Sequence, residues 1–139
     1  MIYDVIVVGG GPSGATAAED LARAGKRVAL LDRAGRIKPC GGAVPPRLIQ
    51  DFNIPDSQIV ARINTARMIS PTGRSVDIAI ENGFVGMVDR EHFDAFLRDR
   101  AVTAGAKLIT GTFTAIERDA DGTHVAYRDK TSGEALRLT

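Results

Sequence analysis

The sequence predicts an α/β fold in which a Rossmann-like βαβ unit is followed by a separate antiparallel sheet and closes in a three-strand β-meander. Three observations carry this. A β-branched run, Tyr3–Val8, leads at once into a glycine-rich turn and a helix of small residues. The alternation of helix and buried strand then stops, at a stretch rich in glycine and proline over residues 35–46. Finally, residues 113–139 alternate apolar and polar side chains between turn signals.

Each element has its own reason. Tyr3–Val8 reads as a parallel strand buried on both faces, because it is a short apolar run bounded by glycines. From Ser13 to Ala24, Gly14, Ala17, Ala18, Leu21 and Ala22 recur at helical spacing, Glu19, Asp20 and Arg23 fall on other faces, and Gly25 supplies the stop. Lys26–Asp32 is a second buried strand, which completes a βαβ unit with an expected right-handed crossover. The runs at 59–70 and 75–80 flank Pro-Thr-Gly-Arg, whose Pro71 and Gly73 suit a turn between antiparallel strands of another sheet. A second helix starts at Asp89, a capping residue; Phe93, Phe96, Leu97 and Ala101 form its apolar face and Gly105 ends it. Residues 106–112 read as one strand, and the meander strands follow at 113–119, 123–129 and 134–139.

Composition excludes several function classes. With 44% hydrophobic and 25% charged residues the chain is globular. Lys and Arg total 18 against 17 Asp and Glu, and they are scattered, so there is no basic stripe to neutralise a nucleic acid backbone. The single cysteine, Cys40, cannot close an internal disulfide and suits a reducing, cytoplasmic compartment. His92 and His124 have no partners at metal spacing and read as surface residues; no metal site is expected. The charged stretch REHFDAFLRDR reads as the solvated face of a helix. The apolar start is too short to span a bilayer and lacks a basic leader.

The chemical centre is Gly9-x-Gly11-x-x-Gly14. It follows a strand, opens a helix, and precedes an acidic residue, Asp32, at the end of the second strand. Gly9 permits the tight turn, Gly11 lets the backbone approach a pyrophosphate, and Gly14 lets helix pack on strand. Pro12 and Ser13 complete the loop, Ser13 offering a backbone N–H to phosphate rather than a nucleophile, since no base is identifiable. The pyrophosphate belongs at the helix N-terminus, and Asp32 accepts the ribose hydroxyls. The plainer alternative is a structural glycine turn. The full pattern favours a dinucleotide site.

The opening "DVIVVGGGPSGATAA" resembles the fingerprint of the two-domain flavoprotein monooxygenases and reductases, which hold FAD extended. By this resemblance Arg90, in the Asp-Arg pair that begins the second helix, supplies a guanidinium to FAD; the bland reading is a solvated helix-start residue. Arg33 faces either the adenosine or solvent. "KPCGG", "MISPTGR" and "GMVDRE" go further and resemble the geranylgeranyl reductases, especially the chlorophyll and bacteriochlorophyll branch, over nearly the whole chain. The resemblance implies FAD as cofactor and NADPH as reductant, with a prenyl diphosphate or a prenylated tetrapyrrole as substrate. A greasy substrate implies work at or near a membrane surface. It also places Cys40, Gly41 and Gly42 near the flavin ring, where glycines let a flat ring or prenyl chain lie against the backbone.

Cys40, the candidate catalytic residue, keeps three readings: a small hydrophobe filling the flavin pocket, a polar contact or proton source, or a redox-sensitive thiol. Family members are longer, so the chain is truncated relative to them. It is read as the N-terminal part, with residues 1–42 and 84–139 in the FAD-binding domain and 43–83 beginning the inserted substrate-domain sheet. Alone it is expected to bind FAD weakly at most. The rival functions are an FAD monooxygenase on the same scaffold and a non-enzymatic nucleotide-binding module. Nothing in the sequence sets an oligomeric state.

Overall fold

The computed structural model describes residues 2–35 and 37–139. They form two compact units, Met1–Arg36 with Asp94–Thr139, and Ile37–Phe93.

The first unit opens with strand β1 (Val5–Val8), helix α1 (Pro12–Arg23) and strand β2 (Val28–Asp32). β1 and β2 pair in parallel, Val5 opposite Val28, as the βαβ reading requires. The burial differs from expectation. β2 is the strand enclosed on both faces, with Val28, Ala29, Leu30 and Leu31 at 1% exposure or less. β1 is only half-buried, because it forms the edge of its sheet. In α1 the buried positions are Ala15, Ala18 and Glu19. Glu19 is therefore an inward residue, whereas the helical spacing alone put it on another face.

The second unit holds β3 (Ala43–Val44), α2 (Pro46–Asp51), β4 (Ala61–Ile63), the β5 (Thr65–Ile69) and β6 (Ser75–Ala79) hairpin, and β7 (Val85–Met87). β7 lies between β3 and β4, both antiparallel to it. The hairpin closes through the Pro71–Gly73 turn with Ile69 opposite Ser75, in agreement with the sequence. β3 falls in the glycine- and proline-rich stretch at 35–46, and α2, which the sequence reading did not assign, starts at its end; Pro46 stands in the first helical turn, where a missing N–H costs nothing.

Helix α3 (Arg90–Thr103) starts where Asp89 accepts a hydrogen bond from the Glu91 N–H at 3.0 Å. Phe93, Leu97 and Ala101 are buried on one stripe, and Phe96 is half-buried beside them. After α3 come β8 (Lys107–Asp119), β9 (Gly122–Asp129) and β10 (Ala135–Leu138). These complete a five-stranded sheet of order β1-β2-β8-β9-β10. The sequence divides residues 106–119 into two strands; the structure has one strand of 13 residues. Lys107–Thr110 pair in parallel with β2, Gly111–Asp119 pair antiparallel with β9, and a register irregularity between Phe113 and Ala115 interrupts the second pairing. Leu31, Val125 and Tyr127 form a core cluster of this sheet.

His124 corrects its surface reading. It is 2% exposed, with Nε2 2.9 Å from Asp119 Oδ1 and Nδ1 2.8 Å from Thr139 Oγ1, so both ring nitrogens are satisfied inside the meander. No helix among the described residues is long and apolar enough to cross a membrane.

At the start of β1, Asp4 binds the Arg27 guanidinium at 3.0 Å and the Arg27 N–H at 2.7 Å. These bonds, the side-chain one first, lower its pKa to about 2. A carboxyl depressed on folding contributes stability above its unfolded value of 3.8, and that contribution is lost as pH falls through the folded value. In a carboxyl carbon-13 NMR titration Asp4 is expected to have a midpoint near 2. Asp4→Asn is expected to remove that part of the acid limb; an Asp4 midpoint at the ordinary value would contradict the pairing.

Candidate functional site

The loop after β1 has the geometry of an anion cradle. Gly9 sits at φ +102°, a backbone conformation that side chains rarely adopt, and its N–H donates to the Leu31 carbonyl at 2.8 Å. Gly11 is the N-cap of α1 and Pro12 occupies its first turn. No side chain caps this end, so its first N–H groups, those of Ser13 and Gly14 among them, point out with the positive end of the helix dipole. Space is open where a Gly11 Cβ would stand, which is what close approach of a phosphate needs. A Cβ on Gly14 would overlap the Gly9 carbonyl oxygen, so α1 packs on β1 only with glycine there. The residues present fit a dinucleotide.

Beside the loop, a cleft of about 240 Å³ opens at the carboxyl ends of β1 and β2. Val8, Gly9, Asp32 and Arg33 line it, with Gly111 and Phe113 from β8. This is where open parallel sheets hold ligands. Asp32 is half-buried; Oδ2 accepts the Gly10 N–H at 2.7 Å and Oδ1 the Ala34 N–H at 2.8 Å. Asp32 thus fixes the loop and also lines the cleft. Arg33 is exposed at the rim.

In the second unit, Cys40, Gly42 and Arg90 come together. The Gly42 N–H lies 3.5 Å from Cys40 Sγ. That bond, and next the Arg90 guanidinium, hold the Cys40 thiol below its ordinary range. Cys40 is exposed and hydrogen-bonded. Gly42 is buried at φ +72°, and a Cβ there would overlap the Val88 carbonyl oxygen. Gly41 is exposed with open space around its Cα.

Residues 4–137 match the family described as FAD dependent oxidoreductase. The chain belongs to this family. A geranylgeranyl diphosphate reductase of Rhodobacter capsulatus is 68% identical over 137 residues, covering 99% of this chain and 35% of that protein. The protein of the same name from Synechocystis is 39% identical over 140 residues, covering 96% of this chain and 34% of the relative. This chain therefore spans about a third of the length of these relatives. Among solved structures, a geranylgeranyl bacteriochlorophyll reductase-like protein from Thermoplasma acidophilum superposes with a TM-score of 0.86 at 24% identity. It covers 99% of this chain and 37% of that one, and shows the shared fold.

Within this FAD-dependent oxidoreductase, two contacts that hold the loop and α1 were not legible in the sequence. Gly10 stands at an unspecified position of the fingerprint, yet its carbonyl accepts a bond from Arg98 Nη1 at 3.0 Å. Arg100 pairs with Glu19 at 3.0 Å. REHFDAFLRDR is therefore not wholly a solvated face: two of its arginines hold α1 and the loop before it. The partners are 88 and 81 residues away, so no local pattern could reveal them. The only available signal was the middle glycine of the run at 9–11.

Proposed function

We propose that this chain is the N-terminal, FAD-binding portion of a geranylgeranyl reductase, which reduces isolated double bonds of a geranylgeranyl chain toward phytyl with NADPH as reductant. The 68% identity to the Rhodobacter capsulatus geranylgeranyl diphosphate reductase carries this reading. FAD, once reduced, supplies hydride to the alkene, and a proton completes each saturation. The chain's own residues bind and orient. Gly9, Gly11, Pro12, Ser13 and Gly14 cradle the pyrophosphate, Asp32 holds the ribose, and Arg33 flanks the adenosine side. In the second unit Arg90 supplies a guanidinium to the cofactor, and Gly41, exposed with open space at its Cα, admits the flavin ring or prenyl chain to the backbone, whereas Gly42 is glycine because it packs on the Val88 carbonyl. Cys40, exposed and held below its ordinary thiol range by Gly42 and Arg90, serves in this reading as a polar contact to the alkene. The substrate is a prenyl diphosphate or a prenylated tetrapyrrole, reached from the cytoplasm at a membrane surface. By itself the chain binds FAD weakly and does not turn over.

The test uses a protein of the relatives' full length that carries this sequence. It is expected to purify with flavin absorbance and to consume NADPH anaerobically only when a geranylgeranyl substrate is added. Turnover that requires oxygen would overturn the reductase reading in favour of a monooxygenase. Cys40→Ala and Cys40→Ser are expected to lower alkene reduction while flavin content stays unchanged; full activity in both would remove Cys40 from the chemistry.

A further inference from the structure

Gly10 is the one glycine of the loop that the dinucleotide pattern leaves free, and the structure holds it at both ends. Its N–H donates to Asp32 Oδ2 at 2.7 Å, and its carbonyl accepts from Arg98 Nη1 at 3.0 Å. The residue is buried, and Arg98, on α3, is half-buried. A Cβ on Gly10 would stand 2.8 Å from Arg98 Cδ and 3.1 Å from Asp32 Cβ. The two residues that grip the backbone are thus the two that exclude a side chain.

Peptide geometry turns this grip into orientation. A peptide unit is planar and trans, so a carbonyl and the following N–H point in opposite directions. The Gly10 N–H shares its plane with the Gly9 carbonyl; drawing that N–H to Asp32 aims the Gly9 oxygen at α1, where it meets the Gly14 position. The Gly10 carbonyl shares its plane with the Gly11 N–H. Drawing the carbonyl to Arg98 turns the Gly11 N–H the other way, away from α3. If the Gly10–Gly11 peptide rotated, a carbonyl oxygen would take the place of that N–H, and an oxygen repels an anion. A charge-assisted bond from a guanidinium is the strong form of such a hold.

We propose that Arg98 is a positioning residue for the cofactor pyrophosphate, acting through the Gly10 carbonyl to lock the phosphate-binding loop with Gly11 N–H as a donor. The proposal rests on FAD occupying this loop.

The test again uses a protein of the relatives' full length, stripped of flavin. FAD affinity is read by quenching of flavin fluorescence, ADP affinity by calorimetry, and folding by Tm. Arg98→Met keeps the stem and removes the donors; it is expected to weaken both FAD and ADP about tenfold or more, the loss of one charge-assisted bond. Arg98→Lys, still a donor, is expected to stay within about threefold of wild type. Gly10→Ala pushes the Arg98 stem off the carbonyl, so it is expected to show the same loss, and the double variant to be no weaker than the weaker single. A merely structural arginine would lower Tm without this pattern. Wild-type affinity for FAD and ADP in Arg98→Met overturns the proposal, as do losses that add in the double variant. If Arg98→Met does not fold, Gly10→Ala decides alone, and unchanged FAD affinity there overturns it. A folded wild type that binds no FAD overturns the cofactor reading and the proposal together; one that binds FAD equally with and without Arg98 overturns only the latter.

Discussion

Gly14→Ala is expected to yield a protein that purifies without flavin and melts well below wild type. The added Cβ would overlap the Gly9 carbonyl oxygen, stand 3.1 Å from the Gly9 carbonyl carbon and touch Val7 Cγ1 at 3.4 Å. The obstacle is backbone, so no side-chain rotation relieves it. Either α1 lifts from β1 or the Gly9 turn opens, and overpacking of this kind costs about 1–3 kcal/mol. Both responses also displace the helix N-terminus from the loop. Binding falls with stability because one contact sets both. Gly11→Ala is the matching control: space is open at its Cβ position, so the fold is expected to keep its Tm while FAD affinity falls. Flavin absorbance at purification and a melting curve for each variant separate the two effects. A Gly14→Ala protein with full flavin content and unchanged Tm would show that the helix does not depend on this close approach.

The features legible in the sequence were those whose cause is local. The strand, glycine turn and helix at residues 3–32 each carry their own signal, and the turn at Pro71–Gly73 and the stripe Phe93, Leu97, Ala101 do likewise. Chemistry that depends on a distant partner was not legible. Glu19 lies among alanines on α1 and becomes an inward residue only because Arg100 meets it. His124 alternates as a surface residue would, and its burial is set by Asp119 and Thr139. The single long β8 escaped because its two halves answer to different neighbours, β2 and then β9. In the candidate site the same division holds. The fingerprint glycines and Asp32 stand as expected around the loop and cleft, whereas Arg98 could be found only from the fold.

Arg100→Met is expected to be the most destabilising change outside the glycine loop. Glu19 has a side chain 3% exposed, and its Oε1 accepts from Arg23 Nη2 at 2.8 Å and Arg100 Nη2 at 3.0 Å. Without Arg100 the buried carboxylate is left to Arg23 alone, and losing the charged hydrogen bonds from Arg100 costs about 1.5–3 kcal/mol. Arg23 makes good only part of that loss: its side chain is 66% exposed, so water screens its pull on the carboxylate. Arg100 is 25% exposed and also lies 5.8 Å over the Phe96 ring, so its loss removes an apolar contact too. Glu19→Ala is expected to cost less, because the Arg100 guanidinium left behind can reach solvent. Arg23→Ala is expected to cost at most about 1 kcal/mol. Urea midpoints give the order directly, and Glu19→Met with Arg100→Met is expected to recover much of the single-variant loss, since apolar groups often replace a buried pair without penalty. An Arg100→Met protein as stable as wild type would show that the pair does not hold α1 to α3. The comparison with Arg98→Met is the sharper result. One arginine grips the helix and the other the loop ahead of it, so Arg100→Met should lower Tm with FAD affinity nearly kept in the folded fraction, and Arg98→Met should do the reverse.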